Sequence, residues 1–416
     1  MHPNLLSMAR RNLWRNRRRT LITLSSIAFG TMLAVLMTAI GDSNWRRMID
    51  LAARMGAGHV TVQNAAYQDS PTLGNSVPRA GEVAARARRD EDVTAVVQRI
   101  SGAFMVSSGG RSYGAGFVAY APEEEDVSTL SILEAVAEGE APSHSDERGI
   151  VLGAGLAENL HAGLGRKVVF SLTDKHGEIV QEAARVTGIV RTGAPSVDGA
   201  LALVPIGRMR DVLRYDRDES LQVAVFLEDQ RHAARVAERL GGAIDGELGV
   251  LAWNEAQPEL AGFIAMKVAG ARFMEVVMLI LIAAGIFNTL FVSVMERLRE
   301  FGVLLALGFS PGRLFALVMG ESLWIGLFGL LAAAAVTAMP YWYLATRGVD
   351  MSGMMGGDTG GMEVAGVAIT PMLYAAIEPS NLTAIAVAVL VATLLAGLYP
   401  AWRAGRVEPV DAIRIG

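Results

Sequence analysis

The chain has 416 residues, 52% of them hydrophobic and 19% charged, with a mean hydropathy of +0.35, no cysteine and a net charge of −5. Soluble domains carry about 25% charged residues, so this composition excludes an ordinary soluble enzyme. The absence of cysteine excludes disulfides, thiolate zinc sites, iron–sulfur clusters and thiol nucleophiles, and leaves the redox compartment undetermined.

Residues 1–20 hold six arginines (Arg10, Arg11, Arg15, Arg17, Arg18 and Arg19) and no acid. Leu5, Leu6, Ala9, Leu13 and Trp14 recur at helical spacing, with Asn4, Ser7, Arg11, Arg15 and Arg18 on the other face. That pattern predicts a short helix lying in the membrane interface. Residues 21–40 contain no charge and are too long, and too poor in a small-residue cleavage site, for a signal peptide, so they read as an uncleaved first span. Within them Ser26, Gly30, Ala34 and Thr38 form a ridge of small residues suited to close helix packing.

Residues 41–275 begin and end as helical continuations of the flanking spans. Trp45, Met48, Ile49, Ala52 and Met55 keep a helical period until Gly56-Ala57-Gly58, and Leu260, Phe263, Ile264, Val268, Ala271 and Phe273 do so after Pro258. Between these stalks the pattern is mixed α+β. Strands are predicted at 59–63, 93–99, 103–107, 113–120, 167–172, 184–190, 200–204 and 221–227, and helices at 81–89, 156–161, 207–214 and 231–241. A polar break near 122–148 predicts two lobes.

Three further uncharged windows follow, at 276–295, 322–346 and 379–402. At about 1.5 Å per residue each can cross a hydrocarbon core about 30 Å thick. The predicted fold is therefore an integral membrane α-helical protein with four transmembrane helices and a large α+β extracytoplasmic domain inserted between helices 1 and 2. Residues 296–321 form an inside loop and 403–416 an inside tail. Residues 347–378 form an outer loop rich in glycine and in Met351, Met354, Met355 and Met362, whose soft thioethers suit adaptable packing or, as a second reading, Cu(I). In the last span Ala384, Ala388, Ala392 and Ala396 repeat the small-residue ridge. Basic residues mark the cytoplasmic side. The three inside segments carry +6, 0 and +1 and the two outside segments −9 and −3, which places both termini in the cytoplasm and leaves nucleic acid an improbable partner.

Catalytic motifs are missing. The only lysines, Lys167, Lys175 and Lys267, follow Arg166, Asp174 and Met266, so no Gly-Lys pair and no phosphate-binding P-loop exists. No Gly-x-Ser-x-Gly elbow and no His-x-x-x-His pair occurs. The uncharged windows also lack the ionisable residues of a proton- or ion-coupled carrier. Metal, catalytic and cofactor-binding residues are accordingly expected in none of these segments.

The loop Glu296-Arg297-Leu298-Arg299-Glu300-Phe301-Gly302-Val303-Leu304-Leu305-Ala306-Leu307-Gly308-Phe309-Ser310-Pro311-Gly312-Arg313 begins charged, turns apolar and breaks at glycine and proline. An exposed apolar face there suits docking into a partner's groove. Glu296, Arg297, Arg299, Glu300, Gly302, Leu305, Leu307, Gly308, Pro311 and Arg313 are the candidate docking residues.

With the stretches MERLREFGVLLALGFSPGRLFALVMGES, ARRNLWRNRRRTLITLSSIAFG, YPAWRAGRVEPVDAIR and GIVLGAGLAENLHAGLGRKVVFSL, the sequence resembles the ABC permeases of the FtsX, MacB and LolC/LolE type. GHVTVQNAAYQDSP and LAWNEAQPELAGFIAMK look most like the lipoprotein-releasing LolC/LolE branch. The resemblance implies a mechanotransmission permease of the bacterial inner membrane with a periplasmic domain. It also implies a second permease, identical or paralogous, and a separate cytoplasmic ATPase dimer that binds the ATP and magnesium, so that this chain needs no cofactor. That branch extracts acylated lipoproteins and hands them to a periplasmic carrier. A MacB-like exporter of peptides or drugs and an FtsX-like scaffold activating a periplasmic hydrolase are the alternatives. Acyl chains leaving lipid need substitute apolar surface. From depth and residue type that surface is expected at Leu33, Leu36, Met37, Ile40, Met274, Met278, Leu281 and Ile282.

Overall fold

Among the described residues, four helices are long and apolar enough to cross a membrane: Arg17–Met55, Pro258–Glu296, Pro311–Thr346 and Pro379–Gly405, here the first to fourth long helices. The computed structural model describes residues 3–145, 147–244, 246–351, 363–364, 367–368 and 372–406. Met354, Met355 and Met362 of the methionine-rich loop and residues 407–416 of the tail lie outside the described residues. The chain divides into two units, one made of residues 1–44, 265–351 and 372–416, the other of 45–264 and 352–371.

In the helical unit, prolines open the third and fourth long helices at their first positions, where a missing N–H costs nothing and a fixed φ favours the helix. Glycines then let backbones approach. A Cβ at Gly329 would lie 2.6 Å from Ile27, one at Gly30 2.7 Å from Ile282, and one at Gly397 2.1 Å from the Ser322 hydroxyl. The core they frame contains Ile27, Ala34, Val35, Ile286, Leu290, Ile325, Ile385 and Val389.

This packing revises the two expected ridges. On the first helix Ala34 is buried, but Ser26 is exposed and bonds only the Ile22 carbonyl of its own helix, at 2.9 Å; Gly30 and Thr38 are half-buried. On the fourth, Ala384 is exposed, Ala388 and Ala392 are half-buried, and the inward row runs through Ile385, Val389, Thr393 and Ala396. The interior row there is filled by larger side chains, and glycine at 397 supplies the close approach. The helix Pro3–Leu13 buries Ala9 and Leu13, and Trp324 donates its indole N–H to the Leu6 carbonyl at 3.1 Å, so its apolar face packs on protein in addition to any interface.

Among the described residues the large sheet of the second unit has ten strands: β1 Val60–Asn64, β2 Val93–Ser108, β3 Arg111–Tyr120, β4 Val136–Gly139, β5 Gly149–Gly153, β6 Lys167–Thr173, β7 Ile179–Val190, β8 Leu201–Pro205, β9 Gln222–Leu227 and β10 Leu248–Ala252. β2 is the organising element. Its first half pairs antiparallel with β9, which continues through β1 to β10. Its second half pairs with β3, and hydrogen bonding then runs through β8, β5, β7 and β6 back to β2, closing a six-stranded barrel. Closure removes free edges, and the inward residues of alternating strands fill the interior. Phe104, Phe117 and Phe170 lie there with ring centroids 4.9 and 5.2 Å apart. The open sheet is covered by helices Ala80–Ala87 and Ala233–Ala243, which bury Val83, Ala84, Val236 and Leu240.

The barrel interior and the covered face of the open sheet are separate cores, but the division differs from the expected one. Residues 122–148 separate nothing: Leu130 and Ile132 are buried, β4 pairs with β7, and Glu125 binds the fully buried Arg99. The division runs along β2 instead.

Arg99 is satisfied throughout. It donates to Glu125 from Nε at 3.0 Å and from Nη2 at 2.5 Å, to the Thr129 carbonyl at 2.7 Å and to the Gly56 carbonyl at 2.6 Å. Gly56 directly follows the first long helix, so a buried cation caps that helix's C-terminal end, where its dipole favours positive charge.

Candidate functional site

The stretch expected to dock a partner folds as a short helix, Leu298–Ala306, ending at Gly308 with φ +91. A glycine is required there because side-chain-bearing residues rarely adopt that conformation. Phe309 N–H then bonds the Leu304 carbonyl at 3.0 Å, closing the helix end, and Ser310-Pro311 starts the third long helix.

Charged side chains link this short helix and its flanks to the segment before the first long helix, and join the ends of the first, second and third long helices. Arg15 grips Glu300 with both guanidinium nitrogens, at 3.1 and 2.9 Å, and Arg19 binds Glu296 at 2.8 Å. Arg297 reaches Glu300 at 3.3 Å and Glu321 at 2.8 Å, and the Asn12 amide donates to the same Glu321 oxygen at 3.0 Å. Below them Thr23 donates to Thr289 at 3.1 Å. These groups surround a polar pocket of about 200 Å³.

Glu321 is only 4% exposed, a buried charge on the third long helix one residue before the uncharged window 322–346. The third long helix begins at Pro311, ten residues before Glu321, so Glu321 is helical, and its burial requires a partner. Arg297 supplies that pairing. Burial alone would lower the Arg297 pKa, but Glu321 and Glu300 together hold it above its ordinary value. Glu300 is held below its ordinary value, chiefly by the Arg15 hydrogen bond and secondarily by Arg297.

The ten candidate docking residues consequently fall into two groups. Glu296, Arg297 and Glu300 are engaged within the chain, Gly302 is buried and Leu305 half-buried. Arg299, Leu307, Gly308, Pro311 and Arg313 are exposed, and Leu307 is 77% exposed. Asn12, Arg15, Arg19 and Glu321 belong to the site but are not among the ten candidate docking residues. The signal that could have found them is the balance of charge: six arginines in 1–20 face a loop whose three acids need partners.

Of the residues expected to offer apolar surface, Leu33, Met37, Met274 and Leu281 are exposed and Leu36, Ile40 and Met278 half-buried. Ile282 is buried against Gly30 and so packs the helices together instead of lining a surface. The second long helix leaves most of its apolar window uncovered, with only 17% buried.

Residues 20–243 match the MacB-like periplasmic core domain, more than half of the chain. The chain belongs to the MacB-like periplasmic core domain family. Residues 272–409 further match the FtsX-like permease C-terminal family, which takes in the ion-pair cluster's second-helix end, short helix and third helix. Among individual relatives, the chain is 25% identical over 275 residues to the lipoprotein-releasing system transmembrane protein LolC of Neisseria meningitidis serogroup B, covering 64% of each chain. It is 22% identical over 281 residues to LolE of Haemophilus influenzae, again 64% of each. It is 24% identical over 422 residues to the pyoverdine export ATP-binding/permease protein PvdT of Pseudomonas fluorescens, covering 98% of this chain and 59% of that one. The matches thus span less than two thirds of these relatives' own length.

Proposed function

We propose that the chain is the permease subunit of an ABC transporter of the bacterial inner membrane, with both termini cytoplasmic and residues 41–275 periplasmic. A separate cytoplasmic ATPase dimer drives it, and a second permease, identical or paralogous, completes the membrane part. The observation that carries this reading is the short helix Leu298–Ala306. Glu300 ties it to Arg15, two residues before the first long helix, and Arg297, between the second long helix and the short one, pairs with Glu321 of the third, while Val303 and Leu307 present an exposed apolar edge. A push on that edge acts on three long helices at once. The first and second each continue for 39 residues, about 58 Å, well beyond a hydrocarbon core.

The substrate in this reading is an acylated lipoprotein, passed on to a periplasmic carrier. The LolC and LolE relatives and the exposed apolar side chains of Met37, Met274 and Leu281 support it. The alternative is export of peptides or drugs, favoured by the PvdT relative, which aligns with 98% of this chain. The test is the ATPase rate of the full complex in proteoliposomes. Addition of a triacylated lipoprotein raises the rate several-fold and the same protein without its acyl chains does not. Stimulation by a peptide or siderophore alone decides for the exporter.

A further inference from the structure

Four aromatic side chains on the second and fourth long helices form one continuous outward wall. Phe287 and Phe291 stack with ring centroids 5.8 Å apart, 12° from parallel. Tyr399 lies 6.0 Å from the first ring and 6.1 Å from the second, and Trp402 follows 5.9 Å from Tyr399. The wall ends in a cation, because the Arg406 guanidinium sits 4.4 Å from the Trp402 ring centroid. Phe287, Tyr399 and Trp402 are 38%, 49% and 45% exposed. Large rings exposed on helices able to cross a membrane face hydrocarbon.

Depth follows from the charges at the helix ends. Trp402 closes the uncharged window 379–402, with Arg403 next, and Glu296 follows the window 276–295. At about 1.5 Å per residue, Tyr399 lies about 6 Å inside Arg403, and Phe291 and Phe287 lie about 7.5 and 13.5 Å inside Glu296. The two helices thus give the same depth for the neighbours Phe291 and Tyr399. The whole wall fits within the half-thickness of one leaflet, about 15 Å. Leu281, about 22 Å from Glu296, falls in the other leaflet, so the wall is separate from the surface assigned to substrate.

An acyl chain gains nothing by leaving lipid for an equally apolar wall, so the charged end decides what occupies it. Arg403 and Arg406 are exposed, and neither side chain has an ion-pair or hydrogen-bond partner among the described residues. The acids described at this end of the helices, Glu296, Glu300 and Glu321, are taken up by Arg19, Arg15 and Arg297. Trp402 holds Arg406 by its face, whereas the guanidinium N–H donors lie in its plane and remain for an oxyanion. At headgroup depth that oxyanion is a phosphodiester, whose geometry matches the guanidinium fork. A zwitterionic headgroup would bring an ammonium beside two uncompensated cations; an anionic one does not. We propose that the wall binds one anionic phospholipid of the leaflet bordering residues 403–406, with its phosphate on Arg403 and Arg406 and one acyl chain along Tyr399, Phe291 and Phe287.

The experiment uses the full-length chain in nanodiscs of mixed phosphatidylethanolamine and phosphatidylglycerol, with a diazirine on the acyl chain of one lipid or the other. Crosslinks are mapped by peptide mass spectrometry. The phosphatidylglycerol probe is expected to label residues 287–291 and 395–402 at least about fivefold more than the phosphatidylethanolamine probe, the worth of one arginine beside anionic lipid. Arg403→Gln/Arg406→Gln removes that preference and leaves labelling by the phosphatidylethanolamine probe unchanged. Arg17→Gln/Arg18→Gln, at the N-terminal arginines, keeps the preference, and so does Glu408→Gln/Asp411→Asn in the adjoining tail. Equal labelling by the two probes in the wild type overturns the proposal, as does a preference that survives Arg403→Gln/Arg406→Gln or is lost in Arg17→Gln/Arg18→Gln. A preference seen only in Glu408→Gln/Asp411→Asn assigns the arginines to the tail and overturns it too. In this cysteine-free chain, Tyr399→Cys giving disulfide dimers in native membranes would place a second copy on the wall in place of lipid.

Discussion

Arg297 and Arg15 show how position sets the worth of an ion pair. The Arg297 side chain is 12% exposed and its partner Glu321 5%, whereas Arg15 and Glu300 are 56% and 48% exposed. Removing one partner of a buried pair strands a charge and costs about 3–5 kcal/mol, while exposed pairs contribute about 0–1 kcal/mol. Arg297→Ala is therefore expected to lower the thermal midpoint of the full-length chain sharply, and Arg15→Ala to leave it within about 1 kcal/mol of the wild type. Equal effects in thermal melts would contradict the assigned burial. The sequence made Arg297 and Glu300 visible as charges at the edge of a span, but their partners were not. Glu321 was hidden because a charge-free window begins at the residue after it. Arg99 was hidden because a cation in the middle of the valine-rich strand Val93–Ser108 gives no sign of the carboxylate and two carbonyls that satisfy it.

Among elements, those with strong periodicity or a turn signal were legible. The strands predicted at 103–107 and 113–120 pair as a hairpin with Ser108 opposite Arg111, and the helix predicted at 207–214 lies at Ile206–Leu213. β5 and β10 escaped because they are five residues long and lack alternation; β5 is buried on both faces, and each contains glycine. The junction of helix Ala233–Ala243 with the turn before β2 also depended on contacts across the sequence. Arg239 binds Asp90 at 2.7 Å and Asp92 at 2.6 Å and holds both carboxyls below their ordinary range; Arg231 likewise takes Asp229 to about 2. A carboxylate whose folded pKa is depressed stabilises the fold above its unfolded pKa, near 3.9, and loses that contribution as pH falls through the folded value. The thermal midpoint is expected to be flat from pH 7 to about 5 and to fall below about 4, more gently in Arg239→Gln. A wild type whose midpoint holds to pH 2 would contradict these pairings.

For the whole molecule, four apolar helices and a strand-rich unit follow from where charge is missing and where it is ordinary. The sidedness proposed for them rests on the six N-terminal arginines and on the acidic balance of 41–275. The chain's lack of cysteine makes this directly measurable, since a single introduced thiol has no background. Arg299→Cys and Ile179→Cys, both at exposed positions, are expected to react with a membrane-impermeant maleimide from opposite sides of the membrane. Labelling of both in intact spheroplasts would reverse the account.

The central proposal is that this chain transmits the work of a partner ATPase through the edge formed by Val303 and Leu307. Purification of the full-length chain from its native membrane, with the ATPase activity and partner content measured for the wild type and for Val303→Ser/Leu307→Ser, tests it most directly. The wild type is expected to retain an ATP-hydrolysing partner. The double variant, changed only at exposed side chains, is expected to lose at least about 90% of it with an unchanged thermal midpoint, as removal of an interface hot spot of about 2 kcal/mol would require. Undiminished partner in the double variant, or ATP hydrolysis by the isolated chain, would contradict the account.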